Sequence, residues 1–168
     1  MSIGKKFVIA AVVAAVATPA SAGSLAGTAA AGAKALLLLP LSITKVDDLD
    51  FGSVVPSVST GTVSIAADGS GQSVTGGVTP IPSGTSSRAV FAGAGTAGQQ
   101  VNIFLAPPAN LSDGNGHTVP ISLSLESALV TIYSTRAFSV GVGGTVTVGA
   151  NQAAGTYTGT FTVLAQYN

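Results

Sequence analysis

The last stretch of the chain, Gly155 to Asn168 (GTYTGTFTVLAQYN), carries a period of two. Tyr157, Phe161, Val163, Ala165 and Tyr167 fall on alternate positions, and Thr156, Thr158, Thr160, Thr162 and Gln166 fill the places between. Successive side chains of a β-strand point to opposite faces. This register therefore predicts one long strand with an apolar face and a hydroxyl-bearing face, made of β-branched and aromatic residues that suit a pleated surface. Such a strand, closing on Tyr167 and Asn168, has to lie inside a sheet or offer an edge to another chain.

Upstream the same period recurs in short pieces parted by turn residues. Leu36 to Val46 (LLLLPLSITKV) is dense in apolar residues, and Pro40 in its middle argues against a helix and for a kinked first strand. Leu49 to Val55 follows, with Pro56 as its stop. Gly61–Ala66, Gln72–Thr79, Arg88–Ala92, Gln100–Ala106, His117–Leu125, Leu129–Tyr133 and Gly144–Val148 read as further strands. Between them stand Asp68-Gly-Ser-Gly71, Pro80-Ile-Pro82, Gly93–Gly98, Pro107-Pro108 and Asp113-Gly-Asn-Gly116. About ten short strands without a helical stripe predict an all-β fold, an immunoglobulin-like antiparallel β-sandwich. Gly and Ala at many inward positions, Gly159 among them, predict a thin core.

The N-terminus reads differently. Lys5 and Lys6 precede the apolar run Phe7–Ala17, and Pro19-Ala-Ser-Ala22 supplies a small-residue cleavage site, so residues 1–22 are expected to be a signal peptide. The apolar run is shorter than the roughly 20 residues that cross a bilayer, so no integral membrane span is expected after cleavage. Residues 23–35 (GSLAGTAAAGAKA) hold a single bulky residue, Leu25, and a single charge, Lys34; they read as a mobile extension. Residues 36–168 are left as one sandwich domain, exported to the periplasm and then to the cell surface or beyond.

Only 7% of residues are charged, against about 25% in ordinary soluble domains. Without Lys5 and Lys6, four basic residues face six acidic ones. No basic patch is available for phosphate contacts, so no nucleic-acid partner is expected. The chain has no Cys, which removes disulfides, thiolate chemistry and Cys-ligated metals.

Motifs that could carry chemistry are few. Gly93-x-Gly95-x-x-Gly98 matches a dinucleotide-binding string, but a strand follows it where that motif needs a helix N-terminus. Asp113-Gly-Asn115-Gly-His117 suits a tight turn, and Ser124 stands where an EF-hand would need its Glu. His117 is the only His and Glu126 the only Glu, and Asp47, Asp48 and Asp50 share one turn. No catalytic, cofactor or metal site is expected, and the chain does not read as an enzyme.

The terminal strand resembles the C-terminal motif of chaperone–usher pilus subunits: Gly155 stands fourteen residues from the end, apolar residues alternate after it, and Tyr167 is penultimate. Four segments are also similar to a domain-of-unknown-function family of small secreted bacterial proteins related to pilins. They are Pro40–Lys45, Asp48–Gly52, Gly144–Val148 and Asn151–Val163. The resemblance implies an immunoglobulin-like domain lacking its last strand, a gap filled first by an assembly chaperone at an outer-membrane usher and then by the N-terminal extension of another subunit. On that basis Leu25, Ala29, Ala31, Leu36 and Leu38 are candidate donor residues, and Gly155, Tyr157, Phe161, Val163 and Tyr167 candidate groove residues. The absence of Cys and the Ala-rich extension depart from the usual pilin pattern. Two rivals are a self-complete, secreted or surface-attached sandwich whose loops (Pro80–Ser87, Pro107–His117) bind a glycan or protein in the manner of an adhesin, and, much less favoured, an enzyme.

Overall fold

Ten strands, all paired antiparallel, build the domain: β1 (Ser42–Asp47), β2 (Val54–Ile65), β3 (Gln72–Pro80), β4 (Ala89–Ala94), β5 (Gln100–Ala106), β6 (Asn110–Ser112), β7 (Thr118–Leu125), β8 (Leu129–Thr131), β9 (Ala137–Val148) and β10 (Thr162–Tyr167). The computed structural model describes residues 28–82 and 84–168, and no described residue is helical. The expected signal peptide and Leu25 lie outside the described residues. The chain divides into two units, Met1–Ala35 and Leu36–Asn168. Of the first, residues 28–35, with Ala29 and Ala31, are exposed and form no strand.

The larger sheet has the order β1-β4-β9-β2-β3, with β7 also on β9 and β6 on β7; the smaller is β10-β5-β8. The two form the predicted β-sandwich. Strand β9 is its centre: Ala137–Val142 pair with β4, Gly144–Val148 with β2, and Val142–Val146 with β7. Strands β4 and β2 therefore lie end to end along one edge of β9. Where the chain between them crosses, a Cβ at Gly141 would overlap the Ala67 carbonyl, and one at Gly143 the Ile65 carbonyl. With Gly144 they put three strand-disfavouring glycines in mid-strand, which is why the sequence shows only the Gly144–Val148 half of β9.

The core is narrow and rich in Val. Ala89, Val101, Ile103, Ile132, Phe138, Val140, Val142 and Val163 are buried between the sheets, and Val63, Val78, Val146 and Val148 form a second cluster farther along the larger sheet. No described residue that is buried as a whole is polar or charged, although the Asp113 side chain is only 3% exposed. At about 25 cal/mol per Å² of apolar area, a core of such small side chains draws its stability from many modest contributions.

Several expected boundaries move, and the strands expected at Leu49–Val55 and Gly61–Ala66 merge into β2. Leu36–Leu41 stay outside the first strand, which begins at Ser42, because Pro40 interrupts the ladder. Leu49–Ser53 form no strand beyond the Asp50–Ser87 bridge, and Pro56 lies within β2 instead of ending it. That is tolerated because β9 pairs with β2 only from Gly61 onward, so Pro56 needs no N–H on that side. The short β6, within the Pro107–His117 connection, carries no alternation that sequence reasoning could use. Finally, the C-terminal strand is shorter than its pattern: Gly155–Phe161 lie outside β10 and make one isolated bridge, Thr158 to Ser112.

Candidate functional site

Strand β10 pairs with β5 on one side only. The register runs from Thr162–Ala106 to Tyr167–Val101, and beyond it Asn168 N–H donates to Gln100 C=O at 3.0 Å. Hydrogen-bonded pairs alternate in an antiparallel ladder, so Thr162, Leu164 and Gln166 face β5 with their peptide groups. The donation of Ile103 N–H to Ala128 C=O at 2.8 Å, on the opposite side of β5, fits this phase. The N–H and C=O groups of Val163, Ala165 and Tyr167 consequently point away from β5. Among the described residues no strand pairs with them. Their side chains face inward; those of Phe104 and Leu164 are exposed on the outer face. An edge with unpaired peptide groups is a template for another strand.

Ahead of β10, reaching it only at Phe161, lies a cleft of about 680 Å³. Residues 48–54, after β1, and residues 152–159, before β10, contribute its walls. Val63, Val119, Ile121, Val146 and Val148 of the larger sheet form an apolar base, and Phe161 lines it at the β10 side. The smaller sheet does not extend over this half of the larger one. Phe161 meets Phe91 edge to face, with ring centroids 5.9 Å apart, and thereby links the cleft to the main core.

The predicted groove residues divide between this cleft, the core and the far end of β10. Gly155, Tyr157 and Phe161 line the cleft. Tyr157 also acts locally, through a hydroxyl that donates to Ala153 C=O at 2.7 Å and accepts from Gln152 Nε2 at 2.8 Å. A Tyr before a late strand, bonded to backbone a few residues upstream, has the hydrogen-bond pattern of a tyrosine corner. The alternation counted Tyr157 only as an apolar residue, yet its polar end closes the turn ahead of the wall. Val163 is buried in the core instead of lining the cleft. Tyr167 sits at the far end, its hydroxyl bonded to Leu39 C=O and Thr96 N–H. Leu36 and Leu38 are exposed just before β1.

The Asp113–His117 turn braces the same wall. Asp113 Oδ1 accepts the N–H groups of Asn115 at 2.8 Å and His117 at 3.0 Å, and Oδ2 pairs with His117 Nδ1 at 2.7 Å. The bond from His117 holds the Asp113 carboxyl below its ordinary pKa, with the two backbone donors adding to it against a partial opposing effect of desolvation. Gly155 leaves room for this loop, since a Cβ there would lie 3.3 Å from Asp113 Cβ. Of the Gly93–Gly98 stretch, expected as a connection, Gly93 and Ala94 belong to β4 and the rest leads to β5; a Cβ at Gly93 would overlap the Phe138 ring. Among the described residues no three His, Cys, Asp or Glu side chains group as metal ligands.

A domain-of-unknown-function family, DUF4402, matches residues 41–167. The chain belongs to that family. The DUF4402 match contains the whole open edge and cleft, and it starts two residues after Leu39. Leu25, Ala29, Ala31, Leu36 and Leu38 precede it. Comparisons with curated proteins and with solved structures returned no match.

Proposed function

We propose that this DUF4402 domain is a structural, non-enzymatic subunit of a bacterial surface fibre, exported and assembled by donor-strand complementation between copies or related subunits. The observation that carries the reading is the outer edge of β10: three residues whose peptide groups pair with no strand among the described residues, on a strand that follows directly from Phe161 in the wall of a cleft with an apolar base. An added strand would satisfy both demands at once, giving affinity through ladder hydrogen bonds and specificity through alternate side chains set into the cleft. Contacts of this kind are head to tail and do not close, so they propagate into a filament. The N-terminal extension, residues 23–35 with Leu36 and Leu38 at its base, is the donor in this reading. A periplasmic chaperone and an outer-membrane usher are the assembly partners it implies.

The test is removal of residues 23–35 from the exported chain, followed by electrophoresis in detergent without heating. The full chain should give a ladder of multimers that collapses on boiling, and the shortened chain should give none. Unchanged multimers in the shortened chain overturn the proposal. A full chain that stays a reversibly folding monomer without any chaperone favours a self-complete binding module instead.

A further inference from the structure

Leu39 belongs to no strand, yet both of its backbone groups are held. Its C=O accepts the Tyr167 hydroxyl at 2.8 Å, and its N–H donates to Thr96 Oγ1 at 2.7 Å. The same Tyr167 oxygen accepts Thr96 N–H at 2.8 Å, which closes a three-residue ring of hydrogen bonds. Gly95 makes room for it, because a Cβ there would lie 2.5 Å from the Tyr167 oxygen. The chain loosens ahead of it: Leu38, immediately before, is 38% exposed, and Leu37 and Leu36 are 86% and 67% exposed.

We propose that Tyr167 and Thr96 form a clamp on Leu39 that directs the preceding chain outward, so that it serves a second copy and not its own groove. The inference rests on the donor-strand reading above. Tyr167 is also the last residue of the open edge, so a loose segment rooted at Leu39 starts beside its own acceptor strand. Joined by so short a tether, it would meet that strand at a millimolar effective concentration and outcompete free copies. Donation between copies therefore needs the intramolecular route to be closed by geometry. Fixing both peptide groups of the root residue closes it.

The experiment compares the exported full-length chain with Thr96→Val, Thr96→Ser and Tyr167→Phe on unheated detergent gels, with hydrogen exchange at the Thr96 amide. Tyr167→Phe should speed exchange at Thr96 on the order of tenfold, the loss of one hydrogen bond. Thr96→Val and Tyr167→Phe should convert multimers into a monomer that still resists detergent until heated, the mark of a chain that has filled its own groove. Thr96→Ser, which keeps the hydroxyl, should retain the ladder. Equal ladders from all four chains overturn the clamp and leave the fibre reading standing. So does a loss of multimers into a monomer that detergent unfolds at once, which is the outcome of a merely structural contact. No ladder from the unaltered chain overturns both.

Discussion

Proline at position 165 separates the outer edge of β10 from its inner ladder. Ala165 lies opposite Ile103 in the non-hydrogen-bonded phase, so its N–H points away from β5 and has no partner among the described residues. Ala165→Pro therefore deletes no ladder bond of the domain. Leu164, in extended conformation before it, suits a following proline, and edge strands tolerate Pro on their free side. The isolated fold should lose about 1 kcal/mol or less, from the narrower φ and slight crowding. A strand added at this edge loses one hydrogen bond, about 1 kcal/mol, and meets the ring where its carbonyl would sit, for a further 1–2 kcal/mol or so. Since about 1.4 kcal/mol is tenfold, assembly should weaken by roughly 30- to 150-fold. Leu164→Pro, one residue away, removes a bond to Phe104 and should damage the domain itself. Sedimentation gives the multimer fraction, and hydrogen exchange at the Asn102 and Phe104 amides reports the β5–β10 ladder. Ala165→Pro assembling like the unaltered chain, with that ladder intact, refutes strand addition at this edge; equal damage to the ladder by both substitutions refutes the register.

Tyr157→Phe removes the hydroxyl that bonds Ala153 and Gln152 and should cost about 1–3 kcal/mol, read as a lowered Tm in circular dichroism. Acid should loosen the Asp113–His117 turn: a carboxyl whose folded pKa is depressed contributes stability above its ordinary value of 3.8 and loses it as pH falls through the lower folded value. Asp68, lowered chiefly by the Ser70 N–H, follows the same sign in the β2–β3 turn. Amide exchange at Asn115 and His117 should accelerate below that range, and Asp113→Asn should make it insensitive to acid. Glu126→Gln weakens the bond to Arg88 at 2.9 Å and the acceptor for Gly141 N–H; because Glu126 is 43% exposed, the expected cost is about 1 kcal/mol, with assembly unchanged. Gly143→Val drives a side chain into the Ile65 carbonyl and should abolish accumulation of folded protein, checked by proteolysis.

The strands that announce themselves are those with one face buried. Gln100–Ala106 and the strand from Thr118 to Leu125 alternate because neighbours cover only one side, and the sequence places them almost to the residue. The first half of β9 is hidden because Gly141 and Gly143, which disfavour a strand locally, answer to backbones that approach from distant segments. For the candidate site, the alternation marked Gly155, Tyr157, Phe161, Val163 and Tyr167 as a set but could not divide their roles. Side-chain period tells which face a residue takes, not what stands opposite.

Local physical chemistry, written along the chain, determined the β class, the turns at Asp68–Gly71 and Asp113–Gly116, and the two-faced character of the last strand. Those features depend on residues a few positions apart. Tertiary structure alone decided that the strand's outer peptide groups pair with no strand among the described residues, that its first half forms a cleft wall in place of a ladder, and that Tyr167 grips Leu39, 128 residues away. Such facts depend on which segments of the fold meet, and hydrogen-bond partners far apart in sequence leave no periodic trace.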